Sequence, residues 1–236
     1  MRPLIGVVGV IVFVAIAVFA SAARNGGAPG VPTATPTPRA TPIAVASPEP
    51  SPEPSPEILP THVRLLHGFR YPIAEGHLPE GAIYLPNSPR DYRAGSHEGI
   101  DFPVAAGTPV LAAKDGHILR IDHDFTDWSA LERNAALADA LALGHTPERT
   151  LDRIRGRQVW IDHGRGIVTR YAHLASVGRM QVGSYVEAGT AIGTVGSSGL
   201  PEGGPHLHFE IRVGDDFYGD GLPLPALRHA LSVAFR

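Results

Sequence analysis

The chain has 236 residues, and its net charge of −3 falls wholly beyond residue 60, because residues 1–60 carry three Arg against three Glu. No basic surface is implied, which argues against nucleic acid as a partner. Cysteine is absent, which excludes disulfides and a lipidated cysteine, so a folded domain here must stand on packing and on any metal it binds.

Residues 4–23, LIGVVGVIVFVAIAVFASAA, form an uncharged run about long enough to cross a bilayer as a helix, with Arg2 ahead of it. Two readings stand. The run is an uncleaved signal anchor, which its length favours, or a signal peptide cut at the A-x-A pattern Ala20-Ser21-Ala22. Both place the remainder outside the cytoplasm, in the cell envelope, either membrane-anchored or secreted. Residues 24–60 hold eleven prolines among Thr, Ser, Ala and Glu, including SPEPSPEPSPE. Such a stretch buries too little apolar surface to fold and reads as an extended linker. At about 3.1 Å per residue it would hold a domain on the order of 100 Å from the membrane.

Residues 61–236 are enough for one domain with a sizeable core. From Leu65 onward, short β-like runs alternate with Gly and Pro, so an all-β or β-rich domain is expected. Val110–Ala113 and His117–Ile121 flank Lys114-Asp115-Gly116, a hairpin-type turn signal. Just before them, His97 and Asp101 stand four apart, an offset that returns both to one face of an extended segment. An imidazole and a carboxylate so placed suit zinc.

Residues 124–156 interrupt the strands with two helical signals. Ser129-x-x-Glu132 is a capping box preceding Leu131, Ala135, Ala138 and Ala142, with Gly144 as a stop. Thr146-Pro147-Glu148 then reads as N-cap, first-turn proline and first-turn acid, followed by Leu151 and Ile154 and ended by Gly156. The segment is expected to be a helical hairpin inserted into the sheet. It is either a lid or a docking surface for a regulatory partner that controls the site, or a surface insertion without a role.

Residues 157–174 read as a second hairpin turning at Gly164-Arg165-Gly166, with Tyr171 and His173 on one face of its returning strand. Pro205-His206-Leu207-His208-Phe209-Glu210-Ile211 alternates polar and apolar residues. As a strand it puts His206, His208 and Glu210 on one face and Leu207, Phe209 and Ile211 on the other. Two histidines two apart in this way can share a site, one holding a metal while its neighbour works on a substrate. PLPALRHALSVAF closes the chain as a short helix.

With His97-x-x-x-Asp101, Tyr171-Ala172-His173-Leu174 and His206-Leu207-His208 in this order, the chain resembles the lysostaphin or LytM-type zinc metallopeptidases that cut peptidoglycan peptide bridges. The likeness covers roughly residues 95–215 and extends to Gly99-Ile100-Asp101, Gly107-Thr108-Pro109-Val110, Asp115-Gly116 and Gly189-Thr190-x-Ile192-Gly193. It implies a compact antiparallel β-sheet peptidase domain whose zinc is bound by His97, Asp101 and His208, with an open fourth position. It also implies a catalytic pair, His173 and His206, and peptidoglycan peptides as substrate. Tyr92 and Asn87 match less well the family's transition-state tyrosine and the asparagine that caps zinc in latent relatives. His163 reads as structural. A non-catalytic wall-binding module that regulates another hydrolase is the competing reading, since the family contains such members, but those typically lose metal ligands. A purely structural metal site would want four protein ligands and would leave two histidines without purpose.

Overall fold

The computed structural model describes residues 65–236. The apolar run 4–23 and the proline-rich linker 24–60 lie outside the described residues, and among those described no helix is long and apolar enough to cross a membrane.

In chain order the elements are β1 (Pro89–Arg90), β2 (Gly95–Ser96), β3 (Ile100–Phe102), β4 (Pro109–Leu111) and β5 (Gly116–Ile121), then α1 (Ala130–Leu143) and α2 (Glu148–Arg155). β6 (Val159–Asp162), β7 (Ile167–Ala172), β8 (Leu174–Val177), β9 (Tyr185–Val186), β10 (Ala191–Val195), β11 (Leu207–Val213), β12 (Asp216–Phe217) and α3 (Leu224–Ala234) follow. The larger sheet runs β12-β11-β7-β6-β5-β9, with β3 also pairing along β11. A second sheet is β4-β10-β8, and β1-β2 is a separate hairpin. Every pairing is antiparallel.

One core joins the sheets. Val110, Leu174 and Ile192 from the smaller sheet meet Ile161, Tyr171 and Phe209 from the larger, and α3 adds Leu227, Leu231 and Ala234. Each large apolar side chain so buried contributes about 1.5–3 kcal/mol before the entropy of ordering it is counted. The helix α3 forms where Pro-Leu-Pro is expected to open one, with Pro223 at its N-cap and Ala226, Leu227, Ala230, Leu231 and Ala234 as its buried stripe.

Two local expectations are corrected, the Asp115-Gly116 hairpin and the Thr146 cap, and packing decides the buried faces of α1 and β11. The Asp115-Gly116 turn does not close a hairpin: β4 pairs with β10 and β5 with β6 and β9, so this corner carries the chain from one sheet to the other. Asp115 serves the corner by accepting from the Ala188 N–H at 2.7 Å. In α1 the capping box forms as expected, and Gly144 ends the helix with φ of 72°. Yet Leu131, Ala135, Ala138 and Ala142 face solvent, while Arg133 and Ala140 are buried. Burial of this helix is decided by polar anchors, because the Arg133 guanidinium reaches Glu202. Thr146 does not cap α2 either; its hydroxyl bonds the Arg93 carbonyl, and Pro147 takes the N-cap position. Finally, both faces of β11 are buried from Leu207 to Ile211: Leu207, Phe209 and Ile211 lie in the core, while His97 and Asp101 meet His208 and Arg155 of α2 meets Glu210 on the other face.

Candidate metal centre and catalytic groove

The pairing of β3 with β11 places Asp101 directly opposite His208. His97 enters from the coil between β2 and β3, held by backbone bonds from its N–H to the Ser88 carbonyl and from the Asn87 N–H to its own carbonyl, both 2.9 Å. The bend that brings it in passes Gly99, where a Cβ would sit 2.5 Å from the Phe209 carbonyl oxygen, so only glycine lets the two segments approach.

Three ligand atoms converge. His97 Nε2 lies 2.9 Å from Asp101 Oδ1, His208 Nδ1 lies 2.9 Å from the same oxygen, and the two nitrogens are 3.0 Å apart. The outer ring nitrogens determine what faces inward. His97 Nδ1 donates to the Leu85 carbonyl at 3.0 Å, and His208 Nε2 donates to Glu210 Oε1 at 3.0 Å. In the neutral tautomers each ring therefore turns a lone pair toward Asp101, and three acceptors at this spacing repel unless a cation sits among them. Two imidazole nitrogens and one carboxylate oxygen are a donor set that suits zinc with an open position. Without metal, a proton fills the role: burial opposes charge on His208, but its hydrogen bonds to Asp101 and Glu210 win and raise its pKa to about 9. Burial would raise the Asp101 carboxyl, yet its bonds to His208 and His97 hold it well below the usual range.

A second acidic cluster, Glu98, His208 and Glu210, also has ligand spacing. Its carboxylates are already committed, Glu98 to Arg93 at 2.9 Å and Glu210 to Arg155 at 2.6 Å.

His173 and His206 stand beside the triad. Their ring centres are 4.5 Å apart, and His206 Nε2 is 3.8 Å from Asp101 Oδ1. His206 Nδ1 donates to the Gly204 carbonyl at 2.9 Å and His173 Nδ1 to the Ser198 carbonyl at 2.8 Å, so both rings keep Nε2 free as a base. Burial, together with His206 and His208 nearby, pushes the His173 pKa down to about 3. The expected strand alternation does not place His173: β7 stops at Ala172, and His173 itself takes a left-handed backbone with φ of 60° that turns its ring away from the Tyr171 side. Tyr171 instead lies in the core, accepting from the Ala113 N–H at 2.7 Å.

All five expected residues, His97, Asp101, His173, His206 and His208, line one groove of about 390 Å³. Tyr92 lines it too, with 41 % exposure. Asn87 does not: its amide donates to the Gly219 and Leu222 carbonyls and its oxygen accepts from the Gly221 N–H, so it ties a turn together. His163 bonds the Asp115 carbonyl and Thr169, a structural placement. Two participants, Arg90 and Arg155, escaped the sequence reading, and a third, Glu210, was placed by it but given no role. Arg90 grips Asp101 Oδ2 at 2.9 Å, Glu210 supports His208, and Arg155 supports Glu210. For Glu210 the signal was its place on the histidine face of β11; for the two arginines there was none.

The model of peptidase family M23 matches residues 95–219. The chain belongs to peptidase family M23. It is 32% identical over 142 residues to the DD-carboxypeptidase/endopeptidase Mpg of Neisseria meningitidis, covering 59% of this chain and 26% of that one. It is 30% identical over 142 residues to the peptidoglycan DD-endopeptidase ShyA of Vibrio cholerae, covering 60% and 25%. This chain thus spans about a quarter of the length of these curated relatives. Among solved structures, the catalytic domain of lysostaphin from Staphylococcus simulans is 31% identical, with 56% of this chain and 77% of that one covered and a TM-score of 0.38. M23 membership implies a metal, and His97, Asp101 and His208 form the His/Asp/His cluster suited to one.

Proposed function

We propose that this chain is a zinc-dependent endopeptidase that hydrolyses peptide bonds in the cross-links or stem peptides of peptidoglycan, acting outside the cytoplasm. The observation that carries the reading is the convergence of three inward lone pairs on one point, with two further free imidazole nitrogens facing the same groove. His97, Asp101 and His208 would hold the zinc, which would supply a Lewis acid able to polarise a carbonyl and to lower the pKa of water to about 7.

The remaining chemistry belongs to the protein. A neutral Nε2 accepts a proton, so His206 or His173 takes it from the attacking water. That ring, now carrying the proton on Nε2, donates it to the departing amine. Arg90 holds the second oxygen of Asp101, leaving the first to face the metal position. Exposed Tyr84 and Tyr92, together with Leu200, line the groove and offer apolar surface to a peptide. The apolar run 4–23 would anchor the domain and residues 24–60 would let it reach the wall, and α1–α2 overhanging the groove would control access to it.

The deciding experiment treats isolated cell walls with the full chain and identifies released fragments by mass, with and without a chelator. New peptide termini that vanish with the chelator are expected. Walls left intact by a zinc-loaded protein would sink the proposal.

A further inference from the structure

The helical insertion does more than line the groove with Leu151, Ile154 and Arg155. The last residue of α2, Arg155, is 2% exposed, and its Nε donates to Glu210 Oε1 at 2.6 Å. Glu210 is wholly buried, and the same oxygen accepts from His208 Nε2. Glu210 Oε2 has no hydrogen bond; Arg170 and Arg212 stand 3.6 and 3.5 Å from it. Among the described residues, Arg155 is thus the one guanidinium in hydrogen-bonding contact with the carboxylate that orients a metal ligand.

The backbone of the same residue reaches the catalytic pair. The His173 N–H donates to the Arg155 carbonyl at 2.8 Å, across the point where His173 turns left-handed. Next in sequence, Gly156 has φ of 68°, and a Cβ there would lie 2.3 Å from Ser198 O, the carbonyl that receives the His173 Nδ1 proton. The Arg157 N–H then donates to Ser198 Oγ at 2.9 Å. Three consecutive residues where α2 returns to the sheet therefore contact the supports of both a metal ligand and a proton-transfer histidine.

We infer that Arg155 is a positioning residue of the metal centre, fixing the direction of His208 Nδ1 through Glu210 and the setting of His173 through its own carbonyl. The inference rests on the zinc reading above. A carboxylate that orients a ligand histidine does so only if it is itself held, and outer partners of this kind change metal affinity about 10–100-fold when lost. The insertion is then part of the catalytic apparatus, and the peptidase core and α2 function as one unit.

The test measures zinc affinity of the full chain by chelator competition, alongside thermal unfolding of the metal-free protein. Arg155→Met keeps most of the side-chain volume and is expected to weaken zinc about 10–100-fold. Arg155→Lys, which keeps the charge but not the fork geometry, should recover part of the loss and covers the case in which the methionine variant does not fold. Glu210→Gln should weaken zinc as well, and adding Arg155→Met to it should weaken zinc little further, because both act along one line. Wild-type zinc affinity in Arg155→Met or, should that variant not fold, in Arg155→Lys, with only the melting temperature lowered, would reduce Arg155 to a structural ion pair and overturn the inference. Failure of the unaltered chain to bind zinc would overturn the zinc reading itself, and the inference with it.

Discussion

Asp101 and His208 face each other across the β3–β11 pairing, and a single oxygen of Asp101 lies 2.9 Å from both His208 Nδ1 and His97 Nε2. The sheet register sets the metal position, so losing either ligand should abolish binding. His208→Ala is expected to lose both zinc and hydrolysis. His206→Ala, whose ring is 3.8 Å from Asp101, should keep zinc and lose hydrolysis by about 10²–10⁴-fold. Zinc content by mass spectrometry, read beside turnover, separates the two; a zinc-free His206→Ala protein would contradict the assignment.

Arg90 occupies the oxygen of Asp101 that the histidines leave free, and its own guanidinium is braced by Ser88 and by the Ile83 carbonyl. Arg90→Met should free Asp101 to rotate and lower zinc affinity about 10–100-fold with little change in melting temperature of the metal-free protein. Isothermal titration with zinc checks it, and an unchanged dissociation constant would show that Asp101 needs no brace.

The affinity for zinc should depend on pH in a definite direction. In the metal-free protein the His208 pKa is raised to about 9, above its unfolded value of about 6.5. Its proton therefore stabilises the metal-free fold fully below about pH 6.5, and that contribution disappears as pH rises through about 9. Zinc competes for the same nitrogen, so apparent affinity should rise about tenfold per pH unit from about pH 7 and level off above about pH 9. A flat profile over that range would mean that no proton is displaced from His208.

Trp128 pins the start of the insertion to the loop that leads to His206. It is 6% exposed, its indole N–H donates to the Gly199 carbonyl at 2.7 Å, and the Arg153 guanidinium stacks on it at 4.6 Å. Trp128→Ala is expected to destabilise the domain by about 3–5 kcal/mol, measured by denaturant unfolding. Because Gly199 follows Ser198, the acceptor for His173, turnover should fall in the variant even where it remains folded.

Much of the site was legible in the chain because its signals are local. HxxxD, the single histidine after Tyr171-Ala172, and HLHFE each state a residue type at a short spacing, and strand periodicity says which of them share a face. The helices announced themselves through the Ser129–Glu132 box, Gly144 and Gly156, which are local backbone requirements. What failed were statements about partners. The exposed stripe of α1, the Asp115-Gly116 corner and the turn at His173 depend on what lies opposite, and no short window of sequence contains that.

The residues by themselves determined the chemistry on offer: which side chains can ligate, which can move protons, and that strands would carry them, since these follow from functional groups and from a period of two along the backbone. Only the tertiary structure decided their mutual distances and their supports. Arg90 meeting Asp101, Glu210 meeting His208 and Arg155 meeting Glu210 join positions separated by eleven, two and fifty-five residues. A buried charge settles where another buried charge can compensate it, and that pairing exists only once the sheets have closed.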